Sequence, residues 1–247
     1  MAKIAIDAGH YLYTDGKRCL KSLDPNETRE WVLNNRVAIA TEKYLKSAGH
    51  EILRVDDVTG KTDVSLAERC RRANAWGAKY YISIHHNAGI NGGKGGGIVV
   101  FILPGISGET VLAQKAIYNH AVARAELKGN RSNGTPTADF QVLRDTAMPA
   151  SLIECGFMDS STDIKYILDP EWSDKIALGI AEGICEIYGG TVKIENTSSK
   201  AEELAEDEWY VIQFSANKNR SYAENALKKV HAAGFTDAYI KKIKSTK

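Results

Sequence analysis

Apolar residues along this chain fall into two kinds of spacing: short unbroken runs, and longer stretches with a helical period. Residues 3–6 (Lys-Ile-Ala-Ile), Glu51–Val55, Tyr80–Ile84, Ile98–Leu103 and Ser151–Ile153 read as strands, and Phe140–Leu143 is a further strand candidate. A helix is expected from about Pro25 or Asn26 to about Ser47, on Leu33, Val37, Ala40 and Tyr44, closed by Gly49. Ser65–Trp76 is a second helix, with Ser65 and Glu68 spaced as a capping box and Gly77 as its stop. Gly108–Leu127 and about Glu171–Tyr188 complete the helices of this part. Strands alternating with helices imply an α/β sheet covered on both faces.

After Gly189-Gly190 the pattern changes. The stretch before Trp209, rich in Glu, Ser and Ala, reads as a linker. Trp209–Phe214, Ser221–Ala233 and Ala238–Ile243 then follow as strand, helix and strand. The expected organisation is a domain over 1–190, a linker over 191–208 and a small βαβ unit over 209–247. A unit of that size buries little core alone, so it is expected to pack against the body or a second copy of itself.

Composition narrows the picture in three ways. No segment of the 247 residues approaches the roughly 20 apolar residues of a membrane span. The chain opens Met1-Ala-Lys-Ile-Ala-Ile-Asp and enters a strand at once, without the pattern of a secretory leader, and a protein made in the cytoplasm is expected. Cys19, Cys70, Cys155 and Cys185 are widely spaced and contain no CxxC pair, so reduced thiols are expected. Net charge is +1, but residues 209–247 carry eight Lys/Arg against two acids, +6, which leaves 1–208 at −5. A nucleic-acid role for this basic end has only Trp209-Tyr210 and scattered lysines behind it; a solvated helix face explains Lys228 and Lys229 as well, and no nucleic-acid partner is expected.

The chemistry gathers at strand ends. His10 follows the first strand in Asp7-Ala-Gly-His10, and Glu27 or Glu30 stands near the start of the long helix. His85 or His86 closes the strand that runs into Asn87 and a glycine-rich loop. Two imidazoles and a carboxylate around an open position are what catalytic zinc uses, and such a site needs a carboxylate base that is not a ligand. Glu154, directly after an apolar strand, is a candidate, since a buried acid is costly unless it has work to do or pairs with an arginine such as Arg69 or Arg144. Each piece alone has an ordinary structural reading, and spacing alone leaves the choices among neighbours open.

Taken in order, Ile6–His10, Glu30 with Asn34 and Ala38, Ser65–Arg69, Ser83–Asn87, Val142–Arg144, Met148-Pro149 and Ile153–Phe157 resemble the zinc-dependent N-acetylmuramoyl-L-alanine amidases of the Amidase_3 type over nearly all of residues 1–188. The resemblance implies a mixed, mostly parallel sheet flanked by helices. It implies one zinc ion held by His10, Glu30 and His85, with Glu154 as acid/base, and it selects Glu30 over Glu27 and His85 over His86. Asn87 and Arg144 are candidates for orienting the peptide. Two departures stand out: Tyr11 replaces the usual glycine after the histidine, and the insert from Tyr11 to Asn26 lacks the usual glycine-rich run, so a different pocket entrance is expected. The segment from Trp209 resembles one half of a SPOR-type peptidoglycan-binding module.

The expected function is therefore hydrolysis of the N-acetylmuramic acid–L-alanine amide in bacterial peptidoglycan. The alternatives are a zinc peptidase acting on stem peptides and an inactive wall-binding protein. The basic βαβ unit is expected to attach to the wall or to form a homodimer. Without a leader, the protein is expected to reach the wall through a phage holin or on lysis of the producing cell.

Overall fold

In a computed structural model the chain divides into compact units Met1–Glu195 and Asn196–Lys247. The structure describes residues 1–130 and 132–194, so the expected βαβ unit, its dimer and nearly all of the linker lie outside the described residues. In the described part, five strands form one sheet: β1 (Lys3–Ala8), β2 (Glu51–Arg54), β3 (Tyr80–Asn87), β4 (Val99–Phe101) and β5 (Ala150–Phe157), in the order β2-β1-β3-β5-β4. All neighbours are parallel except β4 against β5, which makes the sheet mixed and mostly parallel.

Six helices cover it: α1 (Glu30–Ser47), α2 (Leu66–Trp76), α3 (Glu109–Ala125), α4 (Gln141–Arg144), α5 (Ile164–Ile167) and α6 (Pro170–Tyr188). The apolar runs of the strands are buried on both faces, as parallel strands between helix layers must be. Ile4, Ile6, Tyr80, Ile82, Ile84 and Ile153 join Leu33, Val37 and Leu45 of α1, Ile117 of α3 and Ile176 and Ile180 of α6 in the larger core. Residues of the opposite parity, Ala5, Tyr81, Ala150 and Leu152, pack with Cys70 and Ala73 of α2 and Val142 and Leu143 of α4. All four cysteines are buried and unpaired. Among the described residues, no helix is long and apolar enough to cross a membrane.

Cap chemistry places most boundaries. Ser65 accepts the backbone N–H of Glu68 at 3.3 Å, and Gly77 ends α2 in the left-handed region at φ 69°. Only half of the capping box forms, because the Glu68 carboxylate pairs with Arg71 and Arg72 instead. Two expectations are corrected. The long helix begins at Glu30 rather than near Pro25: the Asp24 carboxylate accepts from Asn26 and Thr28 N–H at 3.1 and 2.7 Å and folds that stretch into a turn. Phe140–Leu143 is no strand. Leu143 and Arg144 N–H bond back to Phe140 O, giving the single turn α4, since a short apolar run fits a buried helical turn as well as a strand.

Candidate metal centre

The strands β1, β3 and β5 run in one direction and end at the same edge, so their terminal residues meet. Gly9 N–H donates to Ile84 O at 3.0 Å, carrying the β1–β3 pairing one residue past β1 and setting Gly9 beneath the His85 ring. His10 takes the left-handed conformation, φ 66°, which turns its imidazole back over the strand ends. Arg69 holds that turn: its guanidinium donates to Ala8 O at 2.8 Å, His10 O at 2.7 Å and Asp7 Oδ1 at 2.5 Å, and its Nε donates to Val64 O at 2.8 Å. Asp7 is fully buried and also accepts from Tyr81 OH at 3.0 Å and Ser83 Oγ at 2.7 Å. Burial pushes the Asp7 carboxyl up, but the Arg69 charge and these bonds outweigh it and hold the pKa below the usual carboxylate value.

Glu30 enters from the first turn of α1. Its Oε2 lies 3.3 Å from His10 Nε2, its Oε1 lies 3.0 Å from His85 Nδ1, and the two imidazoles meet edge to face with centroids 4.9 Å apart. One ligand atom from each of His10, Glu30 and His85 falls within 4.8 Å of the others. Burial pushes Glu30 up, yet the bonds and charges of the two histidines hold it well below the ordinary value, so the carboxylate is ionised. Burial likewise opposes protonation of His85, and the Glu30 contact overcomes it and raises the pKa.

The donor set fits zinc. Ligand atoms about 2.0–2.2 Å from a tetrahedral centre lie about 3.3–3.6 Å apart, near the Glu30 contacts of 3.3 Å with His10 and 3.0 Å with His85. Glu30 Oε2 is buried and has only the loose contacts of His10 Nε2 at 3.3 Å and Lys17 Nζ at 3.7 Å, which leaves it open to a cation. Asn34, one helical turn on, completes the support. Its Nδ2 donates to Gly9 O at 3.0 Å and Glu30 Oε1 at 3.4 Å, and its Oδ1 pairs with His86 Nδ1 at 2.8 Å. His86 is thus a support for Asn34. Burial lowers its pKa to about 3 and keeps the ring neutral.

Glu27 lies apart, paired with Arg18 and Lys21. Glu154 does not. It is in register with His85 on the adjoining strand, about 4.8 Å away across the pair. Glu154 and Asn87 line a cleft of about 330 Å³ together with Asp15, Lys17 and Met158. Arg144 is placed elsewhere. It precedes β5, whose first residue Ala150 pairs with Tyr81 where the parallel strands begin, and its guanidinium pairs with Asp139 and Asp145. Arg144 is not among the residues that line the cleft with Glu154 and Asn87.

Two features escaped the sequence. Lys17 Nζ stands 3.7 Å from Glu30 Oε2, delivered by an irregular loop with no periodic signal. The glycine-rich loop is tied down by an acid far along the chain: Asp159 Oδ2 accepts from the N–H groups of Gly89, Ile90 and Asn91 at 2.7–2.8 Å. Asp163 Oδ2 does the same for Gly97 and Phe157 at 2.7 and 3.0 Å.

The Amidase_3 family model, described as N-acetylmuramoyl-L-alanine amidase, matches residues 4–186. N-acetylmuramoyl-L-alanine amidase CwlM of Bacillus licheniformis is 31% identical over 240 residues, covering 97% of this chain and 85% of that protein. The sporulation-specific N-acetylmuramoyl-L-alanine amidase of Bacillus subtilis (strain 168) is 28% identical over 246 residues, with 98% and 86% covered. The crystal structure of N-acetylmuramoyl-L-alanine amidase from Clostridium difficile 630 superposes with a TM-score of 0.67 at 27% identity, covering 75% of this chain and 95% of that one.

Proposed function

This chain belongs to the N-acetylmuramoyl-L-alanine amidase family, and from that premise we propose that it cuts peptidoglycan with a zinc ion held by His10, Glu30 and His85 and with Glu154 as acid/base. The reaction is hydrolysis of the amide between N-acetylmuramic acid and L-alanine in bacterial peptidoglycan, and the place of action is the cell wall. The observation that carries the zinc assignment is the convergence of three ligand atoms, from the end of β1, the start of α1 and the end of β3, within 4.8 Å.

When bound there, zinc supplies Lewis acidity, which lowers the pKa of water towards about 7 and polarises a carbonyl. The residues of the chain do the rest. Glu30 brings one negative charge beside the two imidazoles, and Asn34 fixes which of its oxygens faces His85. Glu154 stands one strand away from His85, within reach of the same cleft, and takes the proton of the attacking water. It returns that proton to the departing alanine nitrogen, so the leaving group is a neutral amine. Asn87, on the cleft wall, orients the peptide with its side-chain amide. The basic segment 209–247 serves wall attachment through its +6 charge, with affinity that falls as salt rises.

The test is digestion of purified peptidoglycan by the full chain with and without a zinc chelator. New N-terminal alanine that vanishes with chelator, with no new reducing ends, is the expected result. Other amines indicate the peptidase alternative, and binding without products leaves a wall-binding protein. Glu154→Ala is expected to lose at least about a hundredfold in rate while zinc content stays at one per chain; an active Glu154→Ala protein refutes the assignment of the base.

A further inference from the structure

The loop between His10 and Glu30 delivers a cation that the mechanism above leaves unused. Lys17 Nζ stands 3.7 Å from Glu30 Oε2, and the same side chain lines the cleft with Glu154 and Asn87. Its backbone is well held. Lys17 O accepts from Glu30 N–H at 3.0 Å, Arg29 Nη1 donates to Thr14 O at 3.3 Å, and Leu20 N–H donates to Met158 O at 3.2 Å. Arg18 and Arg29 pair across the loop as an isolated bridge. The ammonium is therefore aimed at the cluster by a hydrogen-bonded loop, while its own side chain remains 47% exposed and able to swing.

Charge decides where it swings. With a divalent metal held by Glu30, the net charge beside the ammonium would change from negative to positive, so Lys17 would lose its attraction to Glu30 and turn towards the cleft. The acids already facing the cleft are Asp15 and Glu154, and Glu154 is engaged as the base. A further negative charge arrives with the substrate. On the sugar side of the scissile amide the N-acetyl and lactyl groups are neutral. On the peptide side, the acidic residue after alanine is linked through its side chain and keeps a free α-carboxylate one residue from the bond being cut.

We propose that Lys17 is a specificity-determining residue, whose ammonium pairs with the α-carboxylate of the acidic residue following alanine and so favours stem peptides in which that group is not amidated. This rests on the amidase mechanism proposed above. A charge-assisted contact in a half-exposed position gives a preference of roughly three- to tenfold.

The experiment uses the full-length, zinc-loaded protein and two soluble substrates, N-acetylmuramoyl-L-alanyl-γ-glutamyl peptides carrying either the free α-carboxylate or its amide. The acid is expected to be cleaved with roughly three- to tenfold higher kcat/KM, expressed in KM and shrinking as salt is added. The ratio is expected to collapse to about one in Lys17→Met and to survive in Lys17→Arg, with zinc content measured for each protein. A wild-type protein that cleaves both substrates equally overturns the role of Lys17 without needing any variant. So does a Lys17→Met protein that keeps the preference or slows on both substrates alike. A wild-type protein that takes up no zinc or cleaves neither substrate overturns the underlying mechanism as well, a result distinct from equal cleavage.

Discussion

Gly9 lacks a side chain because His85 occupies the place one would take. A Cβ built there lies 2.0 Å from His85 Cε1, 2.1 Å from Nε2 and 2.5 Å from Nδ1, against 3.4 Å for ordinary van der Waals contact. In Gly9→Ala the ring must therefore retreat from 2.0 to 3.4 Å, by about 1.4 Å, while metal–ligand distances tolerate only about 0.2 Å. The backbone of Gly9 cannot move instead: its N–H is bonded to Ile84 O and its carbonyl to Asn34 Nδ2, each at 3.0 Å. The His85 side chain is 17% exposed, so the ring has a way out and the fold survives. Losing a support of a metal ligand costs about 10- to 100-fold in affinity, and a displaced ligand belongs at the upper end of that range. At fixed zinc above Kd, a hundredfold loss removes about 2.7 kcal/mol of ligand-linked stability. For a domain of this size that is a zinc-induced rise in Tm smaller by roughly 5–11 °C. Competitive titration against a chromogenic chelator gives the affinity, and thermal scans with and without zinc give the linked shift. A Gly9→Ala protein whose zinc affinity stays within about threefold of wild type would refute the placement of His85 as a ligand.

Two further outcomes concern the buried pair beneath the site. Arg69→Met leaves Asp7 charged and unpaired, along with the carbonyls of Ala8, His10 and Val64, and is expected to cost about 3–5 kcal/mol in urea unfolding; a loss under about 1 kcal/mol would show the network to be dispensable. The folded pKa of Asp7 is lowered, so its stabilisation is present above the unfolded value of about 3.9 and disappears as pH falls through the folded one. The stability gap between wild type and Asp7→Asn, measured by urea unfolding at neutral and at acid pH, should therefore narrow on acidification; a gap that widens contradicts the sign.

Much of the fold was legible because local chemistry set it. Ser65 and Gly77 mark the ends of α2 with a hydroxyl acceptor and a left-handed stop, and both act within a few residues of themselves. Periodicity failed where a run was too short to carry a period, as at Phe140–Leu143, and where a side chain rather than a proline set the boundary, as Asp24 does before α1. The family resemblance named His10, Glu30, His85, Glu154, Asn87 and Arg144; the first three converge at the strand ends, Glu154 pairs in register with His85, and Asn87 lines a cleft with Glu154. A motif fixes order along the chain, whereas Arg144 closes the helical turn α4 and pairs with Asp139 and Asp145, and Glu154 lies within β5 beside His85.

The sequence by itself determined most of the strands and the longer helices, that the sheet is covered on both faces, and which residue types are available as metal ligands. Those properties depend on patterns a few residues long. Tertiary structure decided everything that depends on distance through space: that Arg69 belongs to Asp7, that Asp159 ties the glycine loop 68 to 70 residues upstream, that Asn34 and His86 together steady Glu30, and that Lys17 reaches the carboxylate of Glu30. Parallel strands bring their ends together from remote parts of the chain, and no local spacing records which side chains then come into contact.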